Sequence, residues 1–114
     1  MTDSSELTKG TTKMLILSVI ANEALYGYQI IKAIKEKSSD TLKLGVGTIY
    51  PALHALEKNG YLVAEWIPQE NVPDRKYYKL TTKGRLYLKT SLENWKAFAS
   101  TINTITAEVK WSWG

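Results

Sequence analysis

The stretch from Val46 to Leu62, VGTIYPALHALEKNGYL, predicts a short amphipathic helix around which the rest of the chain is organised. Ile49, Leu53 and Leu56 recur at helical spacing, so they form one apolar stripe that can pack on a core. The opposite side presents hydroxyl, imidazole, ammonium and aromatic groups, which reach base edges and phosphates in a nucleic-acid groove. The residues on or near that side are Thr48, Tyr50, Pro51, His54 and Lys58.

The ends of this helix are predicted from residues that restrict or free the backbone. Gly47 and Thr48 suit an N-cap region. Pro51 is tolerated in a first turn, where its missing N–H costs little. Gly60 suits a C-terminal cap, because glycine adopts the left-handed conformation required there. We therefore expect a helix from Thr48 to Asn59.

Two strand-like runs follow the helix and predict a β-hairpin. Residues 61–67 are rich in aromatic and β-branched side chains, residues 68–74 interrupt them, and residues 75–80 form the return strand. Alternation along the return strand places Tyr78 and Leu80 on the face that packs on the helices and leaves the basic side in solvent. A helix followed by a hairpin is the order of a winged helix-turn-helix.

Two further helices are predicted before the central one. A cap at Thr11 or Thr12 leads into an apolar helix over residues 14–21. Leu25-Tyr26-Gly27 breaks the chain, and a second helix covers residues 28–37 with its isoleucines inward and its lysines outward. The predicted fold class is therefore mainly α with a small β-hairpin: a winged helix-turn-helix domain plus a long C-terminal dimerisation helix.

The C-terminal segment predicts one long helix that begins at Thr81 or Thr82 and runs to about Lys110. Such a helix spans roughly 43 Å at 1.5 Å per residue, which is longer than a domain of this size is across. Its apolar residues recur in three- and four-residue steps, which favours a homodimer in which the partner supplies the same helix. A helix folded back on its own three-helix core is the alternative. The predicted dimerisation residues are Leu88, Leu92, Trp95, Ala99, Ile102 and Ile105.

The composition limits the class of function. The chain has 114 residues, a formal net charge of +4 and a pI of about 9.2, which suits a polyanionic partner without identifying one. It has no cysteine, only one histidine and no recognisable catalytic or nucleotide-binding signature. No signal-peptide pattern and no membrane-length apolar run occurs. We therefore expect a cytoplasmic protein that is not an enzyme, has no membrane partner and needs no metal or cofactor.

Basic residues concentrate after Asp74, where six occur without a carboxylate as far as Lys89. Arg75 and Lys76 are predicted at the wing tip, where they suit a minor groove or a phosphate. The basic residues from position 83 onward are interpreted instead as charges that solubilise the start of the last helix.

Three short motifs occur in a fixed order between about residues 12 and 90. They are Leu25-Tyr26-Gly27-Tyr28 with Ile30-Ile31, then Gly47-Thr48-Ile49-Tyr50-Pro51-Ala52-Leu53 with Leu56-Glu57 and Gly60, then Arg75-Lys76-Tyr77-Tyr78 with Leu80-Thr81 and Gly84. Together they resemble the PadR family of bacterial transcription regulators, and the single C-terminal helix is similar to the small subfamily. The resemblance implies a dimeric winged-helix repressor with Thr48, Tyr50 and Pro51 at the DNA-facing start of its recognition helix. It also implies that Tyr28 lies near the DNA backbone and that Arg75 and Lys76 lie on the wing.

The resemblance also singles out Trp95 on the last helix. In multidrug-sensing members of the family, a tryptophan at this place pairs with its mate across the dimer, and flat aromatic compounds bind between the two rings. This implies a ligand site made by Trp95 with Leu92 and Ala99. A tryptophan in the dimer core with no ligand is the alternative, because packing alone explains it.

The predicted organisation is a flexible N-terminus at residues 1–10, a winged-helix DNA-binding domain at 11–81, a dimerisation helix at 82–110 and a tail at 111–114. The predicted function is a sequence-specific repressor that binds double-stranded DNA at an inverted-repeat operator as a homodimer and is released by a small planar aromatic ligand. His54 fits a groove contact and a solvated helix surface equally. The rival function is a winged-helix module that binds protein through the same helix face and does not bind DNA.

Overall fold

The computed structural model describes residues 10–112, with four helices and three strands in that range. Residues 1–9 of the flexible N-terminus predicted at 1–10, and residues 113–114 of the tail predicted at 111–114, lie outside the described residues. The elements are α1 (Thr12–Ile20), β1 (Leu25–Tyr26), α2 (Gly27–Lys37), α3 (Val46–Lys58), β2 (Leu62–Gln69), β3 (Val72–Leu80) and α4 (Thr82–Thr106). This is a winged helix-turn-helix fold with a long C-terminal helix, so the predicted fold class is confirmed.

The core lies where the first three helices meet the inner face of the sheet. The predicted stripe on α3 is confirmed, because Ile49, Leu53 and Leu56 are each no more than 1% exposed. Branched aliphatic side chains from α1 and α2 surround them, and Tyr78 and Leu80 close the core from β3 as alternation predicts. The core residues of α1 and α2 are Ile16, Leu17, Ile20, Ile30 and Ile34.

The start of α3 differs from the prediction. Gly45 is the N-cap, and its carbonyl accepts hydrogen bonds from the N–H groups of Thr48 (3.1 Å) and Ile49 (3.0 Å). Pro51 is therefore the sixth residue of the helix and lies beyond the first turn. The proline leaves the carbonyl of Gly47 without its intrahelical partner, but Gly47 is exposed, so water can serve that oxygen.

The end of α3 agrees with the prediction. Gly60 has a φ of +81°, and the chain turns there through two hydrogen bonds. The N–H of Tyr61 donates to the Leu56 carbonyl at 2.9 Å, and the N–H of Gly60 donates to the Glu57 carbonyl at 3.0 Å. This pattern is a glycine C-cap of the Schellman type, which satisfies carbonyls that the helix end would otherwise leave unpaired.

The sheet contains a strand that the sequence did not predict. The order is β1-β3-β2, all antiparallel, and Leu25 of the predicted break pairs with Tyr78. The hairpin is also longer than predicted, because β2 continues through Pro68 and β3 already begins at Val72. β2 is an edge strand and the register shifts between Ile67 and Gln69, so Pro68 lies at an irregularity of an edge strand, where a proline is tolerated.

The longer hairpin moves the tip of the wing. The turn lies at residues 70–71, where Asn71 has a φ of 61°. Arg75 pairs with Ile67 and Lys76 pairs with Trp66, so both basic residues lie within the paired ladder. Their predicted position at the wing tip is therefore wrong.

The last helix has two parts with different surroundings. Leu88, which the sequence predicts in the dimer seam, is 8% exposed and packs in the core of its own chain. Leu92 still packs on that core, but further along the helix the apolar side chains face solvent. We call this exposed set the distal stripe: Trp95, Phe98, Ile102 and Ile105.

The helical part of this segment ends at Thr106 and does not continue to Lys110 as predicted. The hydroxyl of Thr104 donates to the Ser100 carbonyl at 3.0 Å, and that of Thr106 donates to the Ile102 carbonyl at 2.8 Å. Threonine is a weak helix former, and bonds of this kind compete with the backbone ladder. The threonines in the last two turns therefore favour an end here.

The end of α3 is joined firmly to the start of α4. The hydroxyl of Thr81 donates to the Gly60 carbonyl at 2.6 Å, and Lys83 Nζ donates to the Asn59 carbonyl at 2.8 Å. Gly84 lies directly against the carbonyl of Tyr61. We call these contacts the α3–α4 junction. Beside them the rings of Tyr61 and Tyr87 are stacked with centroids 4.2 Å apart.

Candidate nucleic-acid interface

The outer face of α3 carries the side chains predicted for it. Thr48, Pro51, His54 and Lys58 are all exposed, which confirms their outward orientation. Their contacts with DNA stay a prediction. Since the apolar stripe holds the other side of α3 in the core, this face projects from the protein surface with hydroxyl, imidazole and ammonium groups available for hydrogen bonding.

Tyr50 is held more tightly than the sequence suggests. Its ring lies half-buried over the backbone of Gly27 and makes an edge-on contact with Tyr28, with centroids 6.4 Å apart. Burial raises the pKa of the Tyr50 phenol, and the neighbouring Tyr28 and Tyr78 add to this effect. A phenol is protonated near neutral pH in any case, and the raised pKa keeps it so in more alkaline solution, so the hydroxyl is available as a hydrogen-bond donor at a place fixed by the packing of its ring.

Gly27 is the residue that makes this placement possible. A Cβ at position 27 would overlap the ring and hydroxyl of Tyr50. The sequence pattern indicates Gly27 only as part of the break between two helices. In the structure it is the first residue of α2, and the ring of Tyr50 packs directly on its backbone. The tyrosines on either side of it, Tyr26 and Tyr28, are the local sign that an aromatic surface begins here.

A groove of about 710 Å³ lies between α3, the start of α2 and the wing. Its walls are largely aromatic, and its rim carries both basic and acidic groups. Trp66 is 62% exposed and is a groove residue that was not predicted from the sequence. Strand alternation was the available signal, because position 66 shares a face of β2 with the inward Leu62. The remaining side chains that line the groove include Tyr28, Tyr50, His54, Asp74, Arg75, Lys76 and Tyr78.

The two basic residues of the wing have different surroundings. Arg75 is exposed, and its guanidinium lies 4.5 Å from the centre of the Tyr26 ring, a cation–π contact that leaves its N–H groups accessible. Lys76 points to the other face, where Nζ lies 3.0 Å from Glu57 Oε1. The hydrogen bond with Glu57 raises the pKa of Lys76. Only Arg75 of this pair presents its charge without a carboxylate partner in the described part of the chain.

Two basic residues near the start of α4 serve the fold. Lys83 caps the end of α3 in the α3–α4 junction, and Arg85 Nη2 donates to the carbonyl of Ala21 at 2.9 Å. These contacts give both residues a structural role in place of the purely solubilising one interpreted from the sequence.

A second cleft, of about 620 Å³, lies between the start of α1, the start of α3 and the distal stripe. Trp95 lines it with 45% of its surface exposed, and the Phe98 ring lies 6.2 Å from the Trp95 ring. Thr48 and Ala52 of α3 form its opposite wall. Of the predicted ligand residues, Leu92 packs on the core and Ala99 is half-buried, so neither lines this cleft in the single chain.

Two other kinds of site are not found between residues 10 and 112. No group of three or more His, Cys, Asp or Glu side chains in that range is placed to hold a metal ion. None of the helices described there combines the length and apolar character needed to cross a bilayer.

Known proteins share this geometry. The family model of the PadR-like transcriptional regulators matches residues 16–90. The structure is similar to that of a transcriptional regulator from Clostridium thermocellum, with 33% identity, a TM-score of 0.83 and coverage of 96% of this chain and 100% of that one. A PadR family transcriptional regulator from Eggerthella lenta is 29% identical, with a TM-score of 0.82 and coverage of 91% and 88%. A curated but uncharacterised protein of Lysinibacillus sphaericus is 28% identical over 80% of this chain and 84% of its own length.

Proposed function

Since this chain belongs to the PadR-like family of transcriptional regulators, we propose that it is a repressor that binds operator DNA as a homodimer. The observation that carries the proposal is the outer face of α3. It presents exposed polar side chains beside a wing with an accessible guanidinium, while its inner stripe is held in the core. A helix with this arrangement suits the major groove, and a wing suits the flanking backbone or minor groove.

The proposed contacts divide between reading bases and holding the backbone. Thr48, Tyr50 and Pro51 lie at the end of α3 that enters the major groove of the DNA. There the fixed phenol of Tyr50 donates a hydrogen bond to a base edge. Arg75 contacts a phosphate or the minor groove. Tyr28 is 65% exposed at the start of α2 and contacts the backbone from there. His54 and Lys58, further along α3, are assigned additional contacts in the major groove of the DNA.

The homodimer is proposed from the distal stripe. A single chain leaves these apolar side chains in solvent on a helix that is about 37 Å long. A second copy of α4 related by a twofold axis covers the same surface on both chains. Two recognition helices then face DNA together, so the operator is an inverted repeat with half-sites about 10 base pairs, or a multiple of that, apart.

Substitution of Tyr50 should change the sequence specificity of DNA binding, whereas substitution of Arg75 should change its salt dependence. Tyr50→Ala should lower the ratio of operator to random-DNA affinity about tenfold, because one base edge is no longer read. Arg75→Ala should weaken binding to both DNAs and make the salt slope shallower by roughly one unit for each phosphate that the guanidinium had neutralised. The measurement is fluorescence anisotropy at several salt concentrations, with the region upstream of the protein's own gene and a scrambled duplex.

Tyr50→Phe is the matched control, because it keeps the ring over Gly27 and removes only the hydroxyl. If the phenol reads a base, Tyr50→Phe should lose specificity almost as strongly as Tyr50→Ala. An unchanged specificity ratio in both variants contradicts the assignment of Tyr50. If the wild-type protein shows no DNA retention even at low salt and instead captures a protein partner, the rival function of an interaction module replaces the proposal.

We further propose that a planar aromatic compound releases the repressor by binding beside Trp95. The supporting observation is the cleft that Trp95 shares with Thr48 and Ala52, because a ligand there touches the start of the recognition helix. No carboxylate lines this cleft among the described residues, while Lys13 does. Neutral planar ligands are therefore favoured over dications.

Planar dyes should quench tryptophan fluorescence with micromolar affinity, which corresponds to about 8 kcal/mol of binding free energy. Neutral dyes should bind more tightly than dicationic ones of the same size, and quenching should be lost in Trp95→Ala. Release of DNA must accompany binding, since a ligand that binds both states equally shifts no population. Quenching that persists in Trp95→Ala points to another tryptophan, and quenching without release of DNA leaves the site without a regulatory role.

A further inference from the structure

We infer that Lys76 and Glu57 form a positioning pair that fixes the wing against the recognition helix, and that Lys76 does not bind a phosphate. This inference rests on the proposed DNA binding. It assigns to Lys76 a different role from that of the neighbouring Arg75, although the two residues are adjacent and carry the same charge. It also assigns a role to Glu57, which belongs to the second motif of the sequence but was given no role there.

The pair joins two elements directly. Glu57 lies in the last turn of α3, and Lys76 lies in the middle of β3. Lys76 Nζ donates to Glu57 Oε1 at 3.0 Å, and the two side chains are 27% and 36% exposed. The contact therefore runs from the recognition helix to the wing, and it is partly screened from water.

Two aromatic rings complete the surroundings of the ammonium group. Nζ of Lys76 lies 5.3 Å from the centre of the Tyr78 ring and 5.9 Å from that of the Trp66 ring. Tyr78 is 2% exposed and cannot move without disturbing the core. Cation–π attraction and the carboxylate thus hold the lysine from several sides. A phosphate approaching this ammonium group would also meet the Glu57 carboxylate beside it, which repels an anion.

The charge of the pair also argues against phosphate binding by Lys76. Lys76 and Glu57 together carry no net charge, so their docking on DNA releases no counterion of its own. The guanidinium of Arg75 projects from the opposite face of β3, where it has a ring partner. The strand that the pair anchors is therefore the strand that aims Arg75.

The consequence for DNA binding is geometric. The recognition helix and the wing must reach adjacent features of the duplex at the same time, so the angle between them has to match the operator. A wing released from α3 can still meet phosphates on any DNA, but it loses this preset angle. Loss of the pair should therefore lower operator affinity more than affinity for random DNA.

The test compares Lys76→Met and Glu57→Gln with Arg75→Ala in DNA titrations at several salt concentrations. Lys76→Met and Glu57→Gln should each weaken operator binding about fivefold, the scale of a partly exposed ion pair. The double variant Lys76→Met with Glu57→Gln removes the pair without changing the net charge, so it should bind as weakly and keep the wild-type salt slope. Arg75→Ala should reduce the slope. The exchanged double variant Glu57→Lys with Lys76→Glu should recover most of the operator affinity, because it restores the pair with reversed charges.

Two results would overturn the inference. One is a salt slope in the double variant Lys76→Met with Glu57→Gln that falls by about one unit, as expected if Lys76 neutralises a phosphate in the wild type. The other is an exchanged variant that melts like the wild type and binds the operator no better than Lys76→Met. Lys76→Arg serves as the conservative variant, since it keeps a donor for Glu57, and it should bind within about twofold of wild type.

A measurement without DNA separates this inference from the proposed function. Hydrogen exchange of the β2 and β3 amides should become faster in Lys76→Met and Glu57→Gln than in the wild type, because the wing is released from α3. Unchanged exchange in both variants rejects the positioning pair even if the protein binds DNA. Faster exchange in a protein that binds no DNA keeps the pair and rejects the proposed function.

Discussion

Ile102→Asp should convert the protein into monomers and abolish operator binding. Ile102 lies in the middle of the distal stripe and is 41% exposed in the single chain, so the proposed partner helix covers it. The twofold axis would bury two unpaired carboxylates, at a cost of about 3–5 kcal/mol for each unpaired charge. The dimer should therefore weaken at least about a hundredfold. Binding should be lost with it, because a single recognition helix contacts only one half-site.

Sedimentation at micromolar concentration measures the first effect, and a gel shift measures the second. Ser100→Asp is the matched control, because Ser100 lies on the side of α4 opposite Ile102 and the substitution adds the same charge to the same helix. This variant should remain dimeric and bind the operator. A wild-type protein that sediments as a stable monomer, or an Ile102→Asp variant that stays dimeric, contradicts the proposed role of the distal stripe.

Gly84→Ala should lower the melting temperature by about 10 °C, which corresponds to roughly 2–3 kcal/mol of overpacking in a domain of this size. A Cβ at position 84 would overlap the backbone carbonyl of Tyr61, and a backbone atom cannot turn aside as the end of a flexible side chain can. Either α4 must move away or the hydrogen bonds of the α3–α4 junction must lengthen. Both changes separate the recognition helix from α4.

Thermal unfolding at equal protein concentration measures this effect, since the stability of a dimer depends on concentration. Gly47→Ala is the control. A Cβ at position 47 meets no atom within 4 Å, and alanine favours the helix by up to about 1 kcal/mol. This variant should melt at or slightly above the wild-type temperature. A Gly84→Ala variant with wild-type stability would show that the α3–α4 junction yields easily.

The elements that the sequence predicted well are those set by local pattern. The stripe on α3 and the cap at Gly60 depend on neighbouring residues, and both are confirmed. The strand at Leu25–Tyr26 was not predictable in this way, because two residues carry no periodicity and their partners on β3 lie about fifty residues later. Pro68 was misleading as well, because a proline breaks a central strand but is tolerated in an edge strand such as β2.

In the candidate site too, features set by neighbouring residues were predicted, and contacts between residues far apart in the sequence were not. Helical spacing predicted which side chains of α3 face outward, and the structure agrees. It could not predict that Glu57 holds Lys76, because that ion pair depends on how the wing folds back on the helix. Leu88 was assigned to the dimer because the apolar residues of α4 recur in the same three- and four-residue steps from Leu88, which packs in the core of the single chain, to the exposed distal stripe. Spacing alone does not show where the buried part ends.

In the proposed dimer, the α3–α4 junction makes each protomer a rigid lever that pivots where the two distal stripes meet. Because the carbonyls that follow α3 are held by Thr81 and Lys83, a tilt of α4 carries the recognition helix with it. A tilt of about 5° over a helix about 37 Å long displaces one end relative to the other by roughly 3 Å. That is close to the rise of one base pair, about 3.4 Å. A very small rotation between two copies of α4 would therefore be enough to put the paired recognition helices out of step with the turns of the duplex.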